Sequence, residues 1–233
     1  MKLALILAFL AVAVQPGFDA HVAAAKKAES AGDFQTSEKE YEKALAIRPD
    51  AELFQRLGLV RHLQNKFSLA VPAFQKAVRL KPDLWGAYLF LGIDYYRTNQ
   101  FPQALTALAK AGKLQPDQPE IRFWLGTTHI ALRNYLEGQQ ILEELSRRQP
   151  ENLEVLRILA QSYSDYAVVL HNKLAAEHPD SAWAFRVHGQ ALENEGFCDA
   201  ALVEYRKAQH LQPDMRGIQE AITRCMKATD NDP

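Results

Sequence analysis

The chain carries almost no net charge, with 27 Lys and Arg against 28 Asp and Glu among 233 residues and a balance of −1 when the histidines are neutral. That balance excludes a basic nucleic-acid wrapper and an acidic disordered tail. Glycine and proline, eleven of each, are too scarce for a linker or a collagen-like chain. There is no GxGxxG, GxxxxGK[ST] or GxSxG, so nucleotide and acyl chemistry have no support. The seven histidines are scattered, with no HExxH and no pair four apart, so no zinc face forms on a helix. His171 and His178 share a face but lie two turns apart, and His129 and His188 occupy positions that read as core. Glu143-Glu144 and Glu38-Lys39-Glu40 lack a partner base, and the basic doublets Lys26-Lys27, Arg147-Arg148 and Arg206-Lys207 are isolated. No catalytic residue, cofactor, metal ligand or nucleic-acid track is expected, and the chain does not read as an enzyme.

Long apolar runs are also missing. The longest, Leu3 to Val14, would reach about 18 Å as a helix, well short of a hydrocarbon core of about 30 Å. Lys2, this run, and then Gln15, Pro16 and Gly17 have the layout of a secretory signal peptide over residues 1–20, with cleavage after Ala13 or after Ala20. The alternative is an apolar helix that caps the first folded unit. Export implies a periplasmic or secreted chain in an oxidising compartment that meets the membrane only transiently.

What the sequence does have is a period. Pro49, Pro82, Pro116, Pro150, Pro179 and Pro213 are spaced 33, 34, 34, 29 and 34 residues apart, and five of them precede Asp. Between them, two apolar stripes of helical spacing are parted by short turns at Gly32-Asp33-Phe34, Asn65-Lys66-Phe67, Asn99-Gln100-Phe101, Arg133-Asn134-Tyr135 and Gly196-Phe197-Cys198. A two-helix unit of this length cannot bury its apolar face alone and must stack.

These residues resemble the tetratricopeptide repeat family. The third unit is closest, with Tyr88-x-x-Leu91-Gly92-x-x-Tyr95, Ala104-x-x-x-Leu108 and Pro116; the second has Phe54-x-x-Leu57-Gly58, Ala70-x-x-x-Phe74 and Pro82. Looser matches are Leu125-Gly126 with Gly138-x-x-x-Leu142, Phe185-x-x-His188-Gly189 with Ala201-x-x-x-Tyr205, and Ser37-x-x-x-Tyr41. The resemblance implies an all-α, right-handed superhelical solenoid of helix pairs. Its repeat domain covers residues 21–213, in units of about 18–50, 51–84, 85–118, 119–152, 153–181 and 182–215. Gly58, Gly92, Gly126, Ala160 and Gly189 would let the two helices of a unit approach closely.

The fifth unit is five residues short of the period, and no Gly or Pro occurs from Glu151 to His178. Leu156, Leu159, Ala160, Tyr163, Ala167, Leu170 and Leu174 carry one stripe through the place of the turn, which predicts a single helix from about Leu153 to Glu177. A turn capped at Ser164-Asp165 is the alternative. Residues 216–228 read as a capping helix with Ile218, Ile222 and either Cys225 or Met226 inward, and 229–233 as a disordered tail. Stacking would bring Cys225 back to Cys198, so these two form either a disulfide or a pair of buried free thiols.

In this family the opposite faces of the first helices line a concave groove where peptides dock. Here that stripe holds Leu59, Leu63, Leu89, Ile93, Tyr96, Phe123, Thr127 and Ile130, and turns polar further on at Arg157, Gln161, Ser164, Arg186, Gln190 and Glu193. Gln55, Leu59, Phe90, Ile93, Glu120 and Trp124 replace the cationic and amide residues with which one variant of the family grips a C-terminal carboxylate. The expected function is a protein scaffold binding an apolar or amphipathic segment of a protein or peptide partner. A structural subunit of an envelope or secretion assembly, acting through its convex surface or by self-association, is the alternative.

Overall fold

A computed structural model describes residues 17–230. All the regular structure among them is helical. The helices are α1 (Phe18–Ser30), α2 (Phe34–Ile47), α3 (Ala51–Leu63), α4 (Phe67–Leu80), α5 (Trp85–Arg97), α6 (Phe101–Leu114), α7 (Pro119–Ala131), α8 (Tyr135–Arg148), α9 (Leu153–Glu177), α10 (Ala182–Asn194), α11 (Cys198–Leu211) and α12 (Ile218–Asp230). They form two compact units, one up to Leu159 and one from Ala160. The signal peptide expected over residues 1–20 lies largely outside the described residues; Phe18 to Ala20 are the first residues of α1, and the Phe18 ring is buried beneath the Arg48 guanidinium, 3.8 Å away.

The hairpin turns are made by one backbone device. Gly32, Asn65, Asn99, Arg133 and Gly196 all have positive φ, between 58° and 87°, just past a first helix. In each, the next residue's N–H reaches back five residues, as from Lys66 to Arg61 O (2.9 Å) and from Gln100 to Tyr95 O (2.8 Å). This is a Schellman closure, which satisfies carbonyls left open at the helix end and turns the chain. Asn tolerates the left-handed conformation; Arg133 has no such ease.

Within pairs the helices meet at the small residues. A Cβ placed on Gly58, Gly92, Gly126 or Gly189 would lie 2.5–2.7 Å from Phe74, Leu108, Leu142 or Tyr205. The first unit stacks α1 to α8 and the start of α9, whose Val155 and Leu159 close on Leu142 and Leu145. In the second unit Tyr205, Met215, Ile218, Ile222 and Cys225 form the core under α12, so Cys225, and not the exposed Met226, points inward. The capping helix runs to Asp230, two residues past its expected end.

α9 is one helix of 25 residues, with no turn at Ser164-Asp165. Its inward face, however, is Val155, Leu159 and Ser162, while Ala160 is exposed. His188, expected in the core, is also exposed, its Nδ1 3.5 Å from Glu204. His129 is half-buried.

Candidate interaction surface

The expected groove residues divide into two groups. Leu89 and Ile93 are only 2% and 3% exposed, packed with Leu108, Ala111 and Ile121. Thr127 is buried too, its hydroxyl donating to the Phe123 carbonyl at 2.8 Å. These three are core, because α5 lies beside both α3 and α7 and large rings close over the seams. Leu63 stays 48% exposed, and Leu59, Tyr96, Phe123 and Ile130 are half-buried.

The rings that do the covering form a repeating ladder. His62 on α3 meets Phe90 on α5 edge-on at 5.1 Å and Phe67 at 5.5 Å; 34 residues later Tyr96 meets Trp124 and Phe101, both at 5.3 Å. Phe123 stands edge-on to Trp124 at 5.4 Å, and the Arg97 guanidinium lies 5.4 Å from the Trp124 ring centre. Edge-to-face contacts of this kind hold rings in fixed orientations. His62, Phe67 and Phe101 were not among the expected groove residues, and Phe90 and Trp124 entered only as places that lack a carboxylate grip; the shared 34-residue register was the available signal. Beside Phe123 and Trp124 a recess of about 370 Å³ opens between Leu145, Gln149 and the carboxylates of Glu120 and Glu154. A larger cleft, about 640 Å³, lies elsewhere, over Tyr88, Leu91 and Tyr95 with Lys110 and Lys113 at its rim.

Polar groups in both units serve the stack. Buried Asp94 meets His62, and burial pushes its carboxyl above the usual aspartate range. Tyr41 donates to Glu29 at 2.6 Å, and Glu29 also takes Arg56; Tyr205, Glu193 and Arg224 repeat the arrangement. Among the described residues no group of three or more His, Cys, Asp or Glu could hold a metal ion, and no helix is long and apolar enough to cross a membrane. Of the two expected states, disulfide or free thiols, Cys198 and Cys225 here have the second, with Cys198 half-buried and Cys225 buried. They are neighbours, and burial together with the hydrogen bond that the Cys225 thiol donates to Cys198 pushes it up to about 12.

Tetratricopeptide repeat models match residues 22–84 and 96–162, together more than half of the chain. The chain belongs to the tetratricopeptide repeat family. Among solved structures it is similar to the MamA protein, with a TM-score of 0.56 at 19% identity, covering 84% of this chain and 92% of that one. A tetratricopeptide repeat protein from Parabacteroides merdae gives 0.52 at 15% identity, covering 90% and 99%. The K341M mutant of Thermobaculum terrenum O-GlcNAc transferase gives 0.50 at 25% identity over 57% of this chain but only 26% of its own. No curated protein matches the chain in sequence. Such repeats form protein interaction scaffolds, and this chain shares that fold.

Proposed function

We infer that the protein is a non-enzymatic scaffold that binds an apolar or amphipathic segment of a partner protein across the ring ladder of its first unit. The observation that carries this reading is the recurrence of partly exposed rings, Phe90 and Tyr96, then Phe123 and Trp124, on successive first helices beside exposed Leu63. Rigid aromatic side chains are the usual anchors of interfaces. The recess beside Phe123 suits one inserted apolar side chain, and Glu120 and Glu154 at its edge favour a segment with a nearby cation. Affinity capture of a partner by wild type, lost in Trp124→Ala with folding retained, tests the reading.

Export of the chain belongs to the same proposal. Lys2, the apolar run to Val14 and Pro16 support it, and burial of Phe18 favours cleavage after Ala13, since cleavage after Ala20 removes a core ring. N-terminal sequencing of the protein from fractionated cells tests this; a chain that still begins at Met1 in the cytosol contradicts it.

A further inference from the structure

The fifth unit has a first helix but no second one. In the third unit Tyr88, Gly92 and Tyr95 on α5 face α6: a Cβ on Gly92 would meet Leu108 at 2.5 Å, and the two tyrosines pack in clusters with Leu108 and Ala107. The same positions two periods on, 68 residues later, hold Leu156, Ala160 and Tyr163 on α9. Because α9 continues without a turn, this stripe stays exposed: Leu156 is 42% exposed, Tyr163 is 46% exposed, and Ala160 is exposed as well. The stripe continues through half-buried Ala167, Leu170 at 45% exposure and half-buried Leu174. Its steps of four and three residues are those of a coiled-coil seam, sustained over about 27 Å of one helix. A helix is therefore the shape that fits it.

The geometry points to α9 of a second copy of this chain, running antiparallel, as the occupant. The seam reads alike in both directions about Asp165, so that Leu156 falls opposite Leu174, Ala160 opposite Leu170 and Tyr163 opposite Ala167. Large residues meet small ones in the two inner pairs, and leucine meets leucine at the ends. Self-complementarity of this kind is what a two-fold interface requires. The unit spacing supplies a second argument. Ala167 and Leu174 precede Pro179 by the same intervals at which Ala104 and Ala111 of α6 precede Pro116. The latter half of α9 is thus the missing second helix of the unit, carried past its own first half by the loss of the turn. In the dimer each copy supplies that helix to the other, an exchange that short connections favour. Arg157, beside the seam, is already held by Glu154 at 2.7 Å and brings no bare charge to it.

Sedimentation velocity on the full chain tests the pairing. The expected result is a particle of twice the 26.3 kDa chain mass, with association weakened about thirtyfold by Tyr163→Glu and by Leu170→Glu. Val168→Glu, at a 55% exposed site on α9 outside the seam, leaves the dimer intact and shows that α9 tolerates a new charge. With Cys198 and Cys225 replaced by Ser, A160C/L170C links two chains on oxidation and A160C alone does not. A monomer at every concentration, a dimer indifferent to both seam charges, or equal linking by A160C alone overturns the proposal.

Discussion

The Nδ1 of His62 lies 2.5 Å from Oδ1 of Asp94, joining the first helices of two successive repeats through a carboxylate with no exposed surface. Burial raises the Asp94 carboxyl above its ordinary value of 3.8, with His62 and then Arg97 opposing the shift. Unfolded Asp94 therefore gives up its proton at lower pH than folded Asp94 does. The contribution of this group is greatest below 3.8 and declines as pH rises through the folded value. Denaturant titrations across the acid range should show wild type losing stability relative to Asp94→Asn as pH rises, and the opposite slope would contradict the burial argument.

Tyr41 and Tyr205 each tie a buried ring to a glutamate that also holds an arginine from a later helix. Removing either hydroxyl leaves the ring packing intact but deletes a hydrogen bond to a charged group. Tyr41→Phe and Tyr205→Phe should each lower stability by about 1.5 kcal/mol in denaturant unfolding. No loss in either would mean that the glutamates are equally well solvated without the phenols.

Arg133 sits at φ 62°, where its neighbours in register, Asn65 and Asn99, have side chains suited to the left-handed region. Arg133→Gly should relieve about 1 kcal/mol of strain, in part offset by the greater freedom of the unfolded glycine. The net result expected is a small rise in melting temperature. A clear fall would show that the Arg side chain contributes more than its backbone costs.

The Cys198 and Cys225 thiols are close enough to hydrogen bond. In protein recovered from an oxidising compartment they should be joined, and thiol titration of the unfolded, unreduced chain should find none free. Reduction should then cost about 3.5 kcal/mol on the chain-entropy estimate for a loop of this size. Two titratable thiols in exported protein would leave them as packing residues only.

The turns were legible in the sequence because each needs a left-handed residue followed by a helix start, and Gly32, Asn65, Asn99 and Gly196 announce it. The straight α9 was legible for the converse reason, since five residues were lost where a turn should be. Leu89 and Ile93 were misplaced because a helical wheel shows which way a side chain points and not how far a neighbour's ring reaches; Trp124 lies far along the chain from both. The Tyr–Glu–Arg ties were illegible for a similar reason, as they join side chains on three different helices.

The exposed strip of the first unit, and not its core, is the proposed site of partner capture. The direct measurement pairs binding with melting for Leu63→Asp, Phe123→Ala and a core control, Leu108→Ala. Leu63 is half exposed and Leu108 fully buried. Leu63→Asp is expected to keep the wild-type melting temperature yet bind the captured partner about thirtyfold more weakly, with Phe123→Ala similar in binding. Leu108→Ala should lose about 2–5 kcal/mol of stability. Undiminished capture by folded Leu63→Asp and Phe123→Ala would contradict the claim and move the binding site off this strip.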